Sequence, residues 1–345
     1  MNSVERVAAA IELREPDRVP VDLHNFQVAA LASGLPMAEV FRDGELLAEA
    51  MLVAWREFGH DMILLENGTA CNAEACGAQV QYRNDSAPVA SRPAVGSLSE
   101  VADLEVPDPY VTFPMSEILK ATRILSRELG EKAWICARAD QGPMDLSAQL
   151  RGISEFMMDL ATGEEEDLVN ALLDYSRRVA TRYAYALIDC GGRSTSIGEP
   201  IAGPAMISPS HYRRYGFPHE RRMVAELQEH EIVLHLHICG DTAKITEDFI
   251  ATGAKVLEID HKTDAGHLKR AARNATCLLG NLDTGVLAFG SPGDVEAACR
   301  ELIEVCMPGG GFILGPGCAM APSTPAENIH ALVESARKYG TYRSA

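Results

Sequence analysis

The chain has 345 residues, about two average domains by length, although barrels of this size are commonly a single domain. Hydrophobic residues make up 47% and charged residues 23%, enough to bury a large core and too much for a disordered or fibrous chain. The 31 Lys+Arg against 49 Asp+Glu leave a net charge of −18 at pH 7, which repels nucleic-acid phosphates and anionic bilayers.

In chain order, residues 1–18 read as an N-terminal helical extension without the apolar core of a leader. No run approaches eighteen apolar residues, so a cytosolic protein without a membrane span is expected. Short apolar runs rich in β-branched residues then alternate with helical patterns: VPVDL (19–23), DMILL (61–65), AWICARA (133–139), STSIG (194–198), EIVLHLH (231–237), KVLEID (255–260), ATCLLG (275–280) and GFILG (311–315). Eight strands alternating with helices predict an α/β protein, a (β/α)8 TIM barrel forming one domain over 1–345. Residues 68–132, with Pro88, Pro93, Pro107 and Pro109, are too long for an ordinary connection after the second strand and predict an elaboration over the barrel mouth. A later helix is predicted to start at Ser291-Pro292, with Cys299 and Cys306 on its apolar stripe. Thr324-Pro325-Ala326-Glu327 predicts a capping box opening the last helix, which Gly340 stops.

In such a barrel, chemistry sits at the carboxyl ends of the strands. Polar groups collect there: Asp22, His24, Glu66, Asn67, Asp140, Gln141, Glu199, His237, Cys239, Glu258, Asp260, Asn281, Asp283 and Cys318. Strand alternation puts His235, His237 and Cys239 on one face and Leu234, Leu236 and Ile238 on the other. His237 and Cys239 end that strand, and Cys318 follows the last strand in Gly315-Pro316-Gly317-Cys318. Neutral imidazole and thiolate are preferred zinc ligands. Asp260 is the candidate fourth ligand and Glu258 the second choice. The nine cysteines, odd in number and irregularly spaced, are otherwise expected as free thiols, with Cys71 and Cys76 as packing residues. No GxSxG, Walker GxxxxGK[ST] or early GxGxxG motif is present, and His230-Glu231 with His235 has one residue too many for HExxH.

The segments LHLHICGDT (234–242), GNLDTGVL (280–287) and ILGPGCAMAPSTPAENIHALVESARKYG (313–340) resemble the uroporphyrinogen decarboxylase superfamily, as do EACGAQVQY (74–82) and DQGPMDLSAQLRG (140–152). Within it they resemble most the zinc-dependent corrinoid-protein:coenzyme M methyltransferases. The resemblance implies that His237, Cys239 and Cys318 hold zinc, with Asp260 a weaker correspondence to a carboxylate ligand of cobalamin-independent methionine synthases. It also implies methyl transfer between a corrinoid (methylcobalamin) carried by a separate protein and a thiol such as coenzyme M or another small-molecule acceptor. The alternative is a demethylase component acting on a methoxylated or methylated small molecule.

A uroporphyrinogen-type decarboxylase is the second alternative, but VDLHNFQVAA (21–30) lacks the arginines and ENGTACNAEAC (66–76) lacks the Asp that decarboxylase members resemble one another in. Glu199, Asp140 and Gln141 are expected to line the substrate pocket as catalytic candidates, and Asn281 and Asp283 to contact the cofactor. An anionic thiol would need a cationic anchor, for which Arg138 and Lys262 are the candidates. A homo-oligomer is compatible with the sequence.

Overall fold

The computed structural model describes residues 1–273 and 275–342. Seven parallel strands form one curled sheet: β1 (Met62–Leu65), β4 (Trp134–Gln141), β5 (Ser194–Gly198), β6 (Leu234–Ile238), β7 (Val256–Ile259), β8 (Cys277–Leu282) and β9 (Phe312–Pro316), hydrogen-bonded in that order. A separate antiparallel hairpin pairs β2 (Gln79–Gln81) with β3 (Val89–Arg92). The predicted first strand is reduced to two residues. Val21 bridges Leu314 of β9 and Asp22 bridges Met62 of β1, both in parallel, so this segment joins the two edges of the sheet and closes the barrel. Pro20 has no N–H to extend the ladder, though its carbonyl accepts from Leu314 N.

Strand alternation divides the core in two. Outward residues such as Val21, Leu23, Ile63, Leu65, Ile135, Ala137, Leu234, Leu236, Leu257, Leu278 and Leu314 pack in the layer shared with the helices. Inward residues Met62, Leu64, Trp134, Cys136, Val256, Cys277, Leu279 and Ile313 form a second cluster with Val4, Val7, Ala10 and Ile11 of the N-terminal helix (Ser3–Ile11). That helix therefore plugs the amino end of the lumen. It is tied down through buried Asp61, which accepts from Arg6 Nη1 at 2.7 Å, Arg18 Nη1 at 2.7 Å and Val21 N at 3.0 Å. With that end filled, the carboxyl ends of the strands are left for chemistry.

Residues 68–132 contain a short helix (Cys71–Ala75), the hairpin, a 3-10 turn (Leu98–Asp103) and a full helix (Met115–Leu129). The last of these packs on the helix Gly44–Phe58 and on β4, as a regular barrel helix does, so the excess over an ordinary connection lies before it. Ser291 caps its helix as expected, in a capping box with Asp294, and Cys299 and Cys306 are buried. The box at Thr324 does not form: the helix Ala326–Tyr339 has Pro325 at its N-cap, and Thr324 Oγ1 donates to Ala321 O instead. Among the described residues no helix is long and apolar enough to cross a membrane.

Candidate metal centre

β6 delivers His235 and His237 to the lumen face and Cys239 to the turn beyond it, while the loop after β9 brings back Cys318. Ligand atoms of His237, Cys239 and Cys318 all lie within 4.8 Å of one another. His237 Nε2 is 3.0 Å from Cys239 Sγ. On the other side of the ring, His237 Nδ1 is 3.0 Å from the carbonyl oxygen of Glu258. A carbonyl only accepts, so Nδ1 carries the proton and Nε2 presents its lone pair to the thiols, the orientation a metal-binding imidazole needs. Contact with the Cys239 thiol, which donates to it, and with the His237 imidazole holds the Cys318 thiol far below the usual range against the opposing effect of burial. As the donor to Cys318, and buried as well, Cys239 is pushed up. Burial acts against a charge on His237, but contact with Cys318 and the nearby Glu258 carboxylate outweigh it and raise its pKa. Two soft sulfurs and a pre-set imidazole nitrogen at this spacing fit a tetrahedral zinc site with three protein ligands.

Asp260 has both oxygens engaged on backbone: Oδ2 accepts from Gly240 N and Oδ1 from Lys262 N, each at 2.9 Å. It thereby fixes the turn after Cys239, and it is not among the three grouped ligands. Glu258 sits deeper, accepting from Ser196 Oγ at 2.6 Å and Arg138 Nη1 at 3.2 Å. Although burial opposes its charge, His235 and Arg138 hold its carboxyl well below the carboxylate range.

Arg138 is not a free anchor. Its guanidinium is buried between Glu66, at 2.9 Å, and Glu258. Glu66 in turn lies 3.1 Å from His24 Nε2. Lys262 is exposed, its amide bound to Asp260.

Glu199 does not line an open pocket. It is fully buried, and its carboxylate accepts from Met144 N and Asp145 N, capping the helix Pro143–Arg151. Asp140 is also buried, in a left-handed conformation (φ 66°) at the β4 bulge, with Oδ2 accepting from Asn72 N at 2.7 Å. Gln141 beside it is buried. Asn281 donates to the carbonyls of Asp260 and Thr263, and Asp283 caps the helix Thr284–Phe289. Both border a cavity of about 480 Å³ with His261, Arg270 and Glu301, and none of His237, Cys239 and Cys318 lines it.

Asp22, His24 and Glu66, which the sequence places at the strand ends, carry no assigned role in that reading. His24 is near enough to Cys318 to bias its charge, its backbone is left-handed (φ 44°), and its carbonyl accepts from Met320 N. The signal was present in Asp22-x-His24, whose period of two matches the lumen face.

The model for uroporphyrinogen decarboxylase (URO-D) matches residues 2–339. The chain belongs to the uroporphyrinogen decarboxylase family. Within this family it is 28% identical over 344 residues to the methylcobamide:CoM methyltransferase MtbA of Methanosarcina mazei, covering 97% of each chain. A uroporphyrinogen decarboxylase of Thioalkalivibrio sulfidiphilus is 25% identical over 311 residues, with 86% of this chain and 84% of the relative covered. The solved structure of a methyltransferase from Methanosarcina mazei superposes with a TM-score of 0.90 at 24% identity, covering 98% of this chain and 99% of that one. The barrel expected from strand count is thus the fold of this family, and the decarboxylase relatives are the more distant.

Proposed function

We propose that this member of the URO-D family is a zinc- and corrinoid-dependent methyltransferase, moving a methyl group between methylcobalamin carried by a separate protein and a small-molecule thiol. The observation that carries the reading is the His237/Cys239/Cys318 group, with the imidazole lone pair turned toward the two sulfurs by the Glu258 carbonyl. Zinc held there supplies the positive charge that keeps an incoming thiol deprotonated at neutral pH. Each surrounding residue has a definite task. Cys239 and Cys318 would hold the zinc through two electron-rich sulfurs. Asp260 holds the Cys239 turn through Gly240 N and would support the zinc site without being one of its three grouped ligands. The plugged amino end of the barrel restricts entry to the mouth, where a corrinoid-bearing protein docks.

Two measurements test this. Purified protein is expected to hold about one zinc per chain, falling sharply in Cys239→Ser and Cys318→Ser. Adding a thiol to the zinc protein with free methylcobalamin is expected to turn methyl-Co(III) to Co(I), read by the corrin absorbance. A folded wild type that neither retains zinc nor demethylates methylcobalamin would return the chain to a metal-independent chemistry.

A further inference from the structure

We propose that the segment 258–263, the end of β7 and the turn after it, is the template on which the His237/Cys239/Cys318 group is set, with the Thr263 hydroxyl as a positioning group for Cys239. The segment supplies none of the three grouped ligands, and the inference rests on the metal reading above for what those ligands hold. Each of the three is nonetheless placed against it. β7 pairs with β6 in the register His237↔Glu258 and Ile238↔Ile259, and His237 Nδ1 lies 3.0 Å from the Glu258 carbonyl oxygen. Gly240, next to Cys239, donates its N–H to Asp260 Oδ2 at 2.9 Å. In the Cys318 loop, Gly317 approaches so closely that a Cβ there would fall 2.5 Å from His261 N.

Thr263 completes the hold on Cys239. Its Oγ1 donates to Gly240 O at 2.9 Å and lies 3.2 Å from Thr242 N and 3.1 Å from Thr242 Oγ1. A hydroxyl carries one proton and a carbonyl only accepts, so both Thr242 groups donate to Thr263, which thereby gives one bond and receives two, its full capacity. Thr242 and Thr263 are both buried. All three bonds end on the turn 240–242, where Gly240 is left-handed (φ 85°) and has no Cβ to restrict it. Among the described residues, Asp260 and Thr263 are the two whose side chains bind the backbone of that turn from the loop after another strand. The template is itself pinned, since Asn281 Nδ2 of β8 donates to Asp260 O at 3.0 Å and to Thr263 O at 2.9 Å. A valine at 263 would leave Gly240 O, Thr242 N and Thr242 Oγ1 without these bonds and free the Cys239 turn to move.

The test is chelator competition for zinc on the folded protein, with the sulfur-to-cobalt charge-transfer band of the Co2+-loaded protein as a second readout of how the thiols are placed. Thr263→Val keeps the branched shape and removes the hydroxyl. It should lower zinc affinity about 10- to 100-fold, the range seen when support behind a ligand is lost, and alter the band at one metal per chain. Thr263→Ser, which keeps the hydroxyl, should stay near the wild type in both. Thr276→Val removes a buried hydroxyl that donates to Ala254 O at 2.8 Å just before β8 begins, and should change neither. If Thr263→Val does not fold, Thr242→Val, which removes one of the three bonds, decides: a lower affinity supports the inference and an unchanged one overturns it. A folded Thr263→Val that competes as the wild type does, a Thr263→Ser that falls as far as Thr263→Val, or a Thr276→Val that falls equally overturns the inference and leaves the metal reading standing. A folded wild type that retains no zinc overturns the metal reading and the inference with it.

Discussion

Gly317 is the position where a single methyl group should separate metal binding from folding. A Cβ built there would lie 2.5 Å from His261 N, 3.2 Å from the Asp260 carbonyl carbon and 3.3 Å from His261 Cα, where ordinary contact begins at 3.4 Å. In Gly317→Ala something must therefore give by 3.4 − 2.5 = 0.9 Å. The 260–263 turn is poorly placed to yield, since both Asp260 oxygens hold backbone amides and Asn281 Nδ2 binds the carbonyls of Asp260 and Thr263. The displacement falls on the 317–318 loop and carries the Cys318 sulfur with it. Zinc–ligand distances tolerate about 0.2 Å, so the shift is several times what the site can absorb. Zinc affinity should fall about 10- to 100-fold, the range seen when support around a ligand is lost, at an overpacking cost of about 1–3 kcal/mol in stability. Chelator competition gives the first quantity and urea unfolding of the zinc-free protein the second. Gly293→Ala, in the helix Pro292–Cys306 and with a Cβ that would meet Ser291 Oγ at 3.7 Å, should leave zinc affinity unchanged and raise stability by about 0.4–1 kcal/mol. A Gly317→Ala protein that competes for zinc as the wild type does would refute the placement of Cys318 against this turn.

Glu199→Gln should act on stability and not on the metal: one of the two cap bonds to Met144 N and Asp145 N is replaced by an amide nitrogen facing an N–H, a loss of about 1–3 kcal/mol, while zinc per folded chain stays at the wild-type value. A large fall in zinc content with unchanged unfolding would sink that assignment. Asp145 is buried, and desolvation pushes its pKa up to about 7 from 3.8. Its native form thus binds a proton that the unfolded chain has released, and stability contributed below about pH 4 is lost as pH rises to about 7. The melting temperature of Asp145→Asn relative to wild type should therefore climb across that interval, and a flat difference would contradict the shift.

How far the sequence could be read depended on whether a property was periodic. The outward aliphatics of β6 and the inward His235 and His237 follow from alternation alone, and with eight apolar runs that is enough for the barrel and for two of the three grouped ligands. Cys318 is legible because it lies in the short Gly-Pro-Gly loop just after the last strand. Pro20 hid the weakness of the first strand, because a proline removes ladder bonds without altering the apolar pattern. Glu199 misled for a related reason: the end of a barrel strand is also where the next helix begins, and a carboxylate there caps amides as readily as it meets a substrate. Arg138 shows what spacing cannot give. Its partners Glu66 and Glu258 lie on β1's trailing loop and β7, brought together only by closure of the sheet.

That closure is also what makes the lumen acidic. Strands distant in sequence each contribute one carboxylate, and no local charge pattern announces the sum. Arg138 is shared between two of those carboxylates, Glu66 and Glu258, while burial pushes Asp22 and Asp140 up to about 7. The His/Cys/Cys group follows from the register of one strand and the loop after another, whereas this charge follows only from closure of the whole sheet.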